Sequence, residues 1–115
     1  SDRTHAELLA YSVACAALNQ MTRSLAVAFA DQRIRVNAIA IGSVMSASLQ
    51  SRLKNDPDVR AATLAATPLN RIAEAQEVAE TAQFLSTEAS GFMTGQIITV
   101  DGGRSLIDPL EAAAH

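Results

Sequence analysis

A chain of 115 residues that is 49% hydrophobic and 18% charged has the composition of one folded domain, and it is too short for two domains. Its net charge of −3 and its scattered Lys and Arg residues exclude a basic stripe for nucleic acid. The longest nearly apolar run, Leu8 to Leu18, is far too short to span a bilayer, so neither nucleic acid nor a membrane is expected as a partner.

The first residues of the chain lack the basic-then-apolar order of a signal peptide. A single cysteine, Cys15, cannot form an internal disulfide. We therefore expect a cytoplasmic protein. His5 and His115 have no metal-ligand spacing to each other or to Cys15, so no metal site is expected.

The first predicted element is one long amphipathic helix over residues 7–30, because apolar side chains recur there at three- and four-residue steps. These side chains are Tyr11, Cys15, Leu18, Met21, Leu25 and Phe29. An almost unbroken run of β-branched residues and Ala then predicts a strand over 34–41 that is buried on both faces. Gly42 and Ser43 end this strand.

The second half of the chain predicts surface helices, a packed helix and a short strand. Residues 47–67 have helical propensity but are polar and interrupted by Asn55-Asp56-Pro57-Asp58. A helix over 75–86 carries acidic residues in or near its first turn, where they suit the helix dipole. A strand over 96–100 leads into the turn Asp101-Gly102-Gly103, which we expect Asp101 to stabilise.

The order helix, strand, helices, strand is that of a parallel α/β sheet. Two strands would leave a hydrophobic sheet with exposed edges. We therefore expect residues 1–115 to form a single incomplete domain at the end of a larger sheet.

Three segments, in this order and spacing, resemble the short-chain dehydrogenase/reductase family. They are Tyr11-Ser12-Val13-Ala14-Cys15-Ala16-Ala17-Leu18, then Ile34 to Gly42, then Thr94-Gly95-Gln96 with Val100-Asp101-Gly102-Gly103. The resemblance implies the α/β fold of that family, with this chain as the C-terminal part of a Rossmann-type doubly wound parallel sheet. It further implies an oxidoreductase that uses NAD or NADP to interconvert a secondary alcohol and a ketone, and that assembles as a dimer or tetramer.

In that family a Tyr-x-x-x-Lys pair carries the chemistry, and residues four apart share one face of a helix. A free Tyr has a pKa of about 10, so roughly one molecule in a thousand is phenolate at neutral pH. A neighbouring cation favours that phenolate. By resemblance Tyr11 is the catalytic acid/base, whereas Cys15 stands at the Lys position and cannot supply the positive charge.

The resemblance also assigns residues after the first strand. Ile41, Gly42, Val44 and Ser46 are implied near the nicotinamide, with Ile41 in place of the usual Pro and Ser46 in place of the usual Thr. Ser46 could equally cap the next helix. Residues 47–67 resemble the family's substrate-covering loop, although a solvated helical hairpin is the alternative. The apolar side chains implied to line a substrate pocket are Met45, Leu49 and Leu53.

Two of the family's requirements are not found among these residues. No Gly-rich phosphate loop is present, and the family's catalytic Ser would lie before Ser1. We therefore expect these residues alone to be inactive, and they do not distinguish NAD from NADP.

Several alternatives remain open. The chain is either an oxidoreductase or a non-catalytic subunit or scaffold that has lost its active pair through Cys15. A third hypothesis is a self-standing module built on helix pairing. Tyr11 is either a cleft residue or an aromatic at the edge of the core, and Cys15 is either a small buried hydrophobe or a reactive thiol.

Overall fold

A computed structural model describes residues 5–42 and 47–107. The helices are α1 (His5–Phe29), α2 (Ala47–Asn55), α3 (Pro57–Ala65), α4 (Ala75–Leu85) and the short α5 (Arg104–Ile107). The strands are β1 (Ala38–Ile41) and β2 (Ile97–Val100), and single 3-10 turns follow α1 and α4. Helices α1 and α4 lie within two residues of the predicted bounds, α2 and α3 lie within the predicted helical segment 47–67, and α5 has no counterpart among the predicted elements.

The two strands form a parallel pair in which Ala38 lies opposite Ile97 and Ile41 lies opposite Val100. The backbone N–H of Gly42 continues this ladder by donating to the carbonyl of Val100 over 3.0 Å. Helices α2, α3 and α4 all lie in the crossover between the two strands. The predicted α/β class with a parallel sheet is confirmed.

Strand β1 begins at Ala38 rather than at Ile34, and side-chain hydrogen bonds form at the two residues before it. The N–H of Val36 donates to the hydroxyl of Thr94. The Asn37 amide donates to the carbonyl of Met93 and accepts from the N–H of Gln96. These bonds hold Val36 and Asn37 beside the loop before β2 without forming regular sheet.

The side chain of Arg35, in the segment before β1, binds the end of α4. Its guanidinium donates to the backbone carbonyls of Leu85 (2.9 Å) and Thr87 (3.3 Å) at the carboxyl end of the helix. It also donates to the carbonyls of Ser90 (3.0 Å) and Met93 (3.1 Å) in the loop that follows. One charged side chain therefore bonds the carbonyl of Leu85, which the helix end leaves without an intrahelical partner, together with three carbonyls of the following loop.

Few apolar side chains are enclosed within the part of the chain that the structure describes. Ala26 and Leu53 are its buried apolar residues, while Leu18, Met21 and Phe29 on α1 are exposed. The expectation that the first strand is buried on both faces is wrong for this chain, since Ile41 is 54% exposed. Two strands with these helices supply too few layers to enclose a sheet.

Candidate active site

Tyr11 and Cys15 lie one helical turn apart on α1, so their side chains project from the same face of the helix. Tyr11 is 40% exposed, and Cys15 is a free, exposed thiol. The interpretation of Cys15 as a small buried hydrophobe is therefore wrong. Both side chains are accessible, at the two positions that the sequence resemblance assigns to the motif.

The nearest Lys or Arg on α1 after this pair is Arg23, eight residues beyond Cys15. A rise of 1.5 Å per residue places the Cα atom of Arg23 about 18 Å from that of Tyr11 along the helix axis. That separation is too long for a direct contact with the Tyr11 phenol. The part of α1 after Cys15 therefore supplies no Lys or Arg that reaches the phenol.

The other candidate residues follow β1. Ile41 is exposed and Gly42 is half-buried at the carboxyl end of the strand, which is the end where ligands bind in open α/β sheets. Val44, Met45 and Ser46 lie outside the described residues. The structure thus places the described catalytic candidates in the first half of α1 and the described cofactor candidates at the end of β1, while Leu49 and Leu53 lie on α2.

Helices α2 and α3 pack against each other as a hairpin. Leu53 is buried, with an exposed fraction of 6%, and Leu49 is half-buried. The side chain of Asp56 caps α3 by accepting from the N–H groups of Asp58 and Val59. This cap explains the interruption that the sequence shows between the two helices.

Asp101 stabilises the turn after β2, as the sequence predicts. One carboxylate oxygen accepts from the N–H of Gly103 and the other from the N–H of Ser105, each over 2.9 Å. Burial opposes ionisation of this carboxyl, but the hydrogen bonds from Ser105 and Gly103 outweigh burial and hold its pKa below the usual value.

Sequence reasoning missed an ion pair near the same edge. Both guanidinium nitrogens of Arg71 donate to the Glu77 carboxylate, over 2.6 and 2.7 Å. The hydrogen bond from Arg71, together with one from the N–H of Glu74, lowers the pKa of Glu77 from 4.5 to about 2. The spacing of Glu74 and Glu77 is that of a capping box and could have indicated part of this arrangement.

This ion pair borders a small cavity of about 80 Å³ beside the end of β2. The cavity is lined by Leu69, Arg71, Ala73, Glu77, Val100, Asp101 and Gly102. Because Arg71 and Glu77 neutralise each other, the cavity has no uncompensated charge from this pair to attract an ionic ligand.

Within residues 5–42 and 47–107, no cluster of three or more His, Cys, Asp or Glu side chains is arranged to hold a metal ion. No helix in this part of the chain combines the length and the apolar character needed to cross a bilayer.

Comparison with known proteins gives the family. The family model for enoyl-(acyl carrier protein) reductase matches residues 1–105. A cis-4-hydroxycyclohexanecarboxylate dehydrogenase of Sinomonas cyclohexanicum is 41% identical over 100 residues, which cover 84% of this chain and 38% of that protein.

Two solved structures share the fold. A short-chain dehydrogenase family protein of Francisella tularensis is 34% identical with a TM-score of 0.75, and the match covers 92% of this chain and 46% of that one. A putative 2-deoxy-D-gluconate 3-dehydrogenase of Agrobacterium tumefaciens with bound NADP is 33% identical with a TM-score of 0.70, and the match covers 76% of this chain and 35% of that one.

The chain spans between 28% and 40% of the length of the curated relatives that it matches. The family model nevertheless extends over most of the chain, and the solved relatives share its parallel α/β architecture. This chain therefore belongs to the short-chain dehydrogenase/reductase family of oxidoreductases.

Proposed function

We propose that this chain is part of an NAD(P)-dependent oxidoreductase that interconverts a secondary alcohol and a ketone, with Tyr11 as the acid/base. The observation that carries the proposal is the exposed Tyr11 on α1, at the place in the family motif where the acid/base stands. The relatives named above support it, because one is a dehydrogenase of a hydroxycyclohexane acid and another binds NADP.

The residues at the end of β1 fit the nicotinamide end of such a cofactor. Ile41 presents an exposed apolar side chain there, and Gly42 leaves the backbone without a Cβ. We assign Ile41, Gly42, Val44 and Ser46 to this role, and Met45, Leu49 and Leu53 to the substrate side. No glycine-rich phosphate loop occurs in the sequence, so these residues do not fit the phosphate end.

When bound, the nicotinamide nucleotide supplies or accepts the hydride. Tyr11 exchanges a proton between its phenol and the oxygen of the substrate. Because Cys15 rather than Lys stands four residues after Tyr11, this position does not supply a positive charge that would lower the free energy of the Tyr11 phenolate. We therefore expect proton transfer to be slower than with a Tyr-x-x-x-Lys pair.

We also propose that the protein is cytoplasmic and assembles as a dimer or tetramer.

The test is nicotinamide-dependent turnover by the protein encoded by the complete reading frame that contains these residues, assayed with a panel of secondary alcohols and ketones. Tyr11→Phe removes only the hydroxyl, so we expect at least about a hundredfold loss of kcat, as for loss of a general acid/base. Met21→Leu, an exposed position on the same helix, serves as the control and should leave kcat unchanged. Equal turnover by the Tyr11→Phe variant and the wild type would overturn the assignment.

The alternative function is a non-catalytic subunit that keeps the fold, and the lack of a charged residue at Cys15 favours it. The substitution Cys15→Lys separates the two hypotheses, since it restores a cation one turn from Tyr11. An oxidoreductase should become faster, whereas a non-catalytic subunit has no turnover before the change. No turnover by the wild type at any substrate concentration, together with turnover by Cys15→Lys, would establish the alternative.

A further inference from the structure

We propose that the turn Asp101-Gly102-Gly103 positions the α2–α3 hairpin relative to β1. The turn contacts the chain at Gly42, directly after β1, and at residues 67–69, shortly after α3. The effect of this turn on substrate binding rests on the proposed function, whereas the packing of the turn against the hairpin does not depend on it.

The upstream contact joins Gly42 to Asp101. A Cβ atom built on Gly42 would lie 3.0 Å from both the Cα and the Cβ atoms of Asp101. The N–H of Gly42 also donates to the carbonyl of Val100, the residue before Asp101. The backbone at the end of β1 is therefore held closely against the start of the turn.

The downstream contacts join residues 67–69 to the two glycines. The N–H of Leu69 donates to the carbonyl of Gly102 over 3.1 Å. A Cβ on Gly102 would lie 2.6 Å from Cγ2 of Thr67, and a Cβ on Gly103 would lie 3.1 Å from Cγ of Pro68. Thr67 is itself buried, and its hydroxyl donates to the carbonyl of Thr63 in α3. The end of α3 is therefore packed directly on the turn.

The shape of the turn depends on Asp101, whose carboxylate accepts from the N–H groups of Gly103 and Ser105. Gly102 and Gly103 have φ angles of +64° and +91°, which residues with a Cβ rarely adopt. The glycines thus meet two requirements, a left-handed backbone and space for Thr67 and Pro68. A turn that served only to reverse the chain would meet the first requirement alone.

Because one three-residue turn contacts both the end of β1 and the segment after α3, its shape sets where the α2–α3 hairpin lies relative to the carboxyl ends of the strands. Under the proposed function this is the substrate side of the sheet. Asp101 and Gly102 are then positioning residues, since they act on the substrate only through the hairpin.

The test is hydrogen–deuterium exchange of the backbone amides in the protein from the complete reading frame. Gly102→Ala introduces the Cβ that would contact Thr67. We expect amides of α2, α3 and residues 67–69 to exchange roughly tenfold faster, equivalent to ~1.4 kcal/mol in the local opening free energy. Gly95→Ala is the matched control, because Gly95 also has a positive φ, of +70°, but contacts Ala26 rather than the hairpin.

The double variant Gly102→Ala with Thr67→Ser separates the contact from backbone strain. Serine keeps the hydroxyl that donates to Thr63 but lacks the Cγ2 methyl, so exchange in the hairpin should return toward the wild-type rate. If the protein with Gly102→Ala alone does not fold, recovery of folding in the double variant supports the same contact. Unchanged hairpin exchange in Gly102→Ala, or equal acceleration by Gly95→Ala, would overturn the proposal.

Exchange requires neither substrate nor cofactor, so its outcome is independent of the proposed activity. Where turnover is measurable, Gly102→Ala should raise KM for the alcohol or ketone more than it lowers kcat. Tyr11→Phe should instead lower kcat and leave hairpin exchange at the wild-type rate. A Gly102→Ala variant that loses kcat with KM unchanged would contradict the positioning role.

Discussion

At the scale of single residues, two arginines organise the second half of the chain through different partners. Arg35 donates to backbone carbonyls at the end of α4 and in the loop after it. Arg71 pairs with one carboxylate in a bidentate arrangement. The two contacts should respond differently to mutation and to pH, because a backbone carbonyl does not titrate and a carboxylate does.

Arg35→Lys tests the carbonyl contacts. A lysine cannot reproduce the planar fork of donors, so some helix-end carbonyls should lose their partners. We expect the free energy of unfolding to fall by about 1.5–3 kcal/mol, the usual range for hydrogen bonds to charged groups. Urea unfolding measures this loss. Arg33→Lys, at an exposed position, should cost far less, and an equal cost would contradict the role given to Arg35.

Glu77→Gln tests the ion pair through its pH dependence. The pKa of Glu77 is lowered from 4.5 to about 2 in the folded protein, so its contribution to stability is complete above about 4.5 and is lost as the pH falls toward 2. The wild type should therefore exceed the variant in unfolding midpoint at pH 7, and the difference should shrink between pH 4.5 and 2. Glu80→Gln on the same helix is the control. A difference independent of pH would contradict the assigned pKa.

The sequence predicted some of these residues and missed others, for physical reasons. The residue four positions after Tyr11 is read directly from the sequence, so the absence of a Lys at that position could be stated without a structure. Arg35 and Asn37 lie inside an apolar run that indicates a strand, and their carbonyl partners are some 50 to 60 residues away in the chain. Contacts of such separation depend on the fold and leave no local periodicity to detect.

At the scale of elements, local capping signals set helix bounds well. Asp56, before Pro57, begins α3 by accepting from two backbone N–H groups. Strand bounds were harder to predict. The β-branched run from Ile34 indicates a strand, but it does not reveal the side-chain hydrogen bonds that form at Val36 and Asn37 before the strand begins at Ala38. The burial of β1 was also predicted from its composition, whereas burial depends on layers that other elements must supply.

Asp56→Ala tests the cap of α3. Loss of the carboxylate leaves the N–H groups of Asp58 and Val59 without this acceptor, and we expect a loss of about 1 kcal/mol in the free energy of unfolding. Thermal unfolding followed by circular dichroism measures it. Asp56→Asn keeps an acceptor oxygen and should remain close to the wild type. If Asn and Ala are equally destabilising, the cap does not account for the helix start.

At the scale of the whole molecule, the parallel sheet, the order of elements and the relatives agree on the family. The proposed activity depends on Tyr11, which has Cys15 rather than Lys four residues later, and on a phosphate-binding loop that these residues do not contain. The exposed apolar side chains of α1 and β1 are consistent with a chain that spans a fraction of its relatives' length.

Binding of the nicotinamide nucleotide tests the central claim most directly, because it does not require the unknown substrate. The measurement is a fluorescence titration of NADH and of NADPH with the protein encoded by the complete reading frame. We predict saturable binding of at least one nucleotide, unchanged in Tyr11→Phe, which removes only the proton-exchanging hydroxyl. No saturable binding of either nucleotide by the folded wild-type protein would contradict the account.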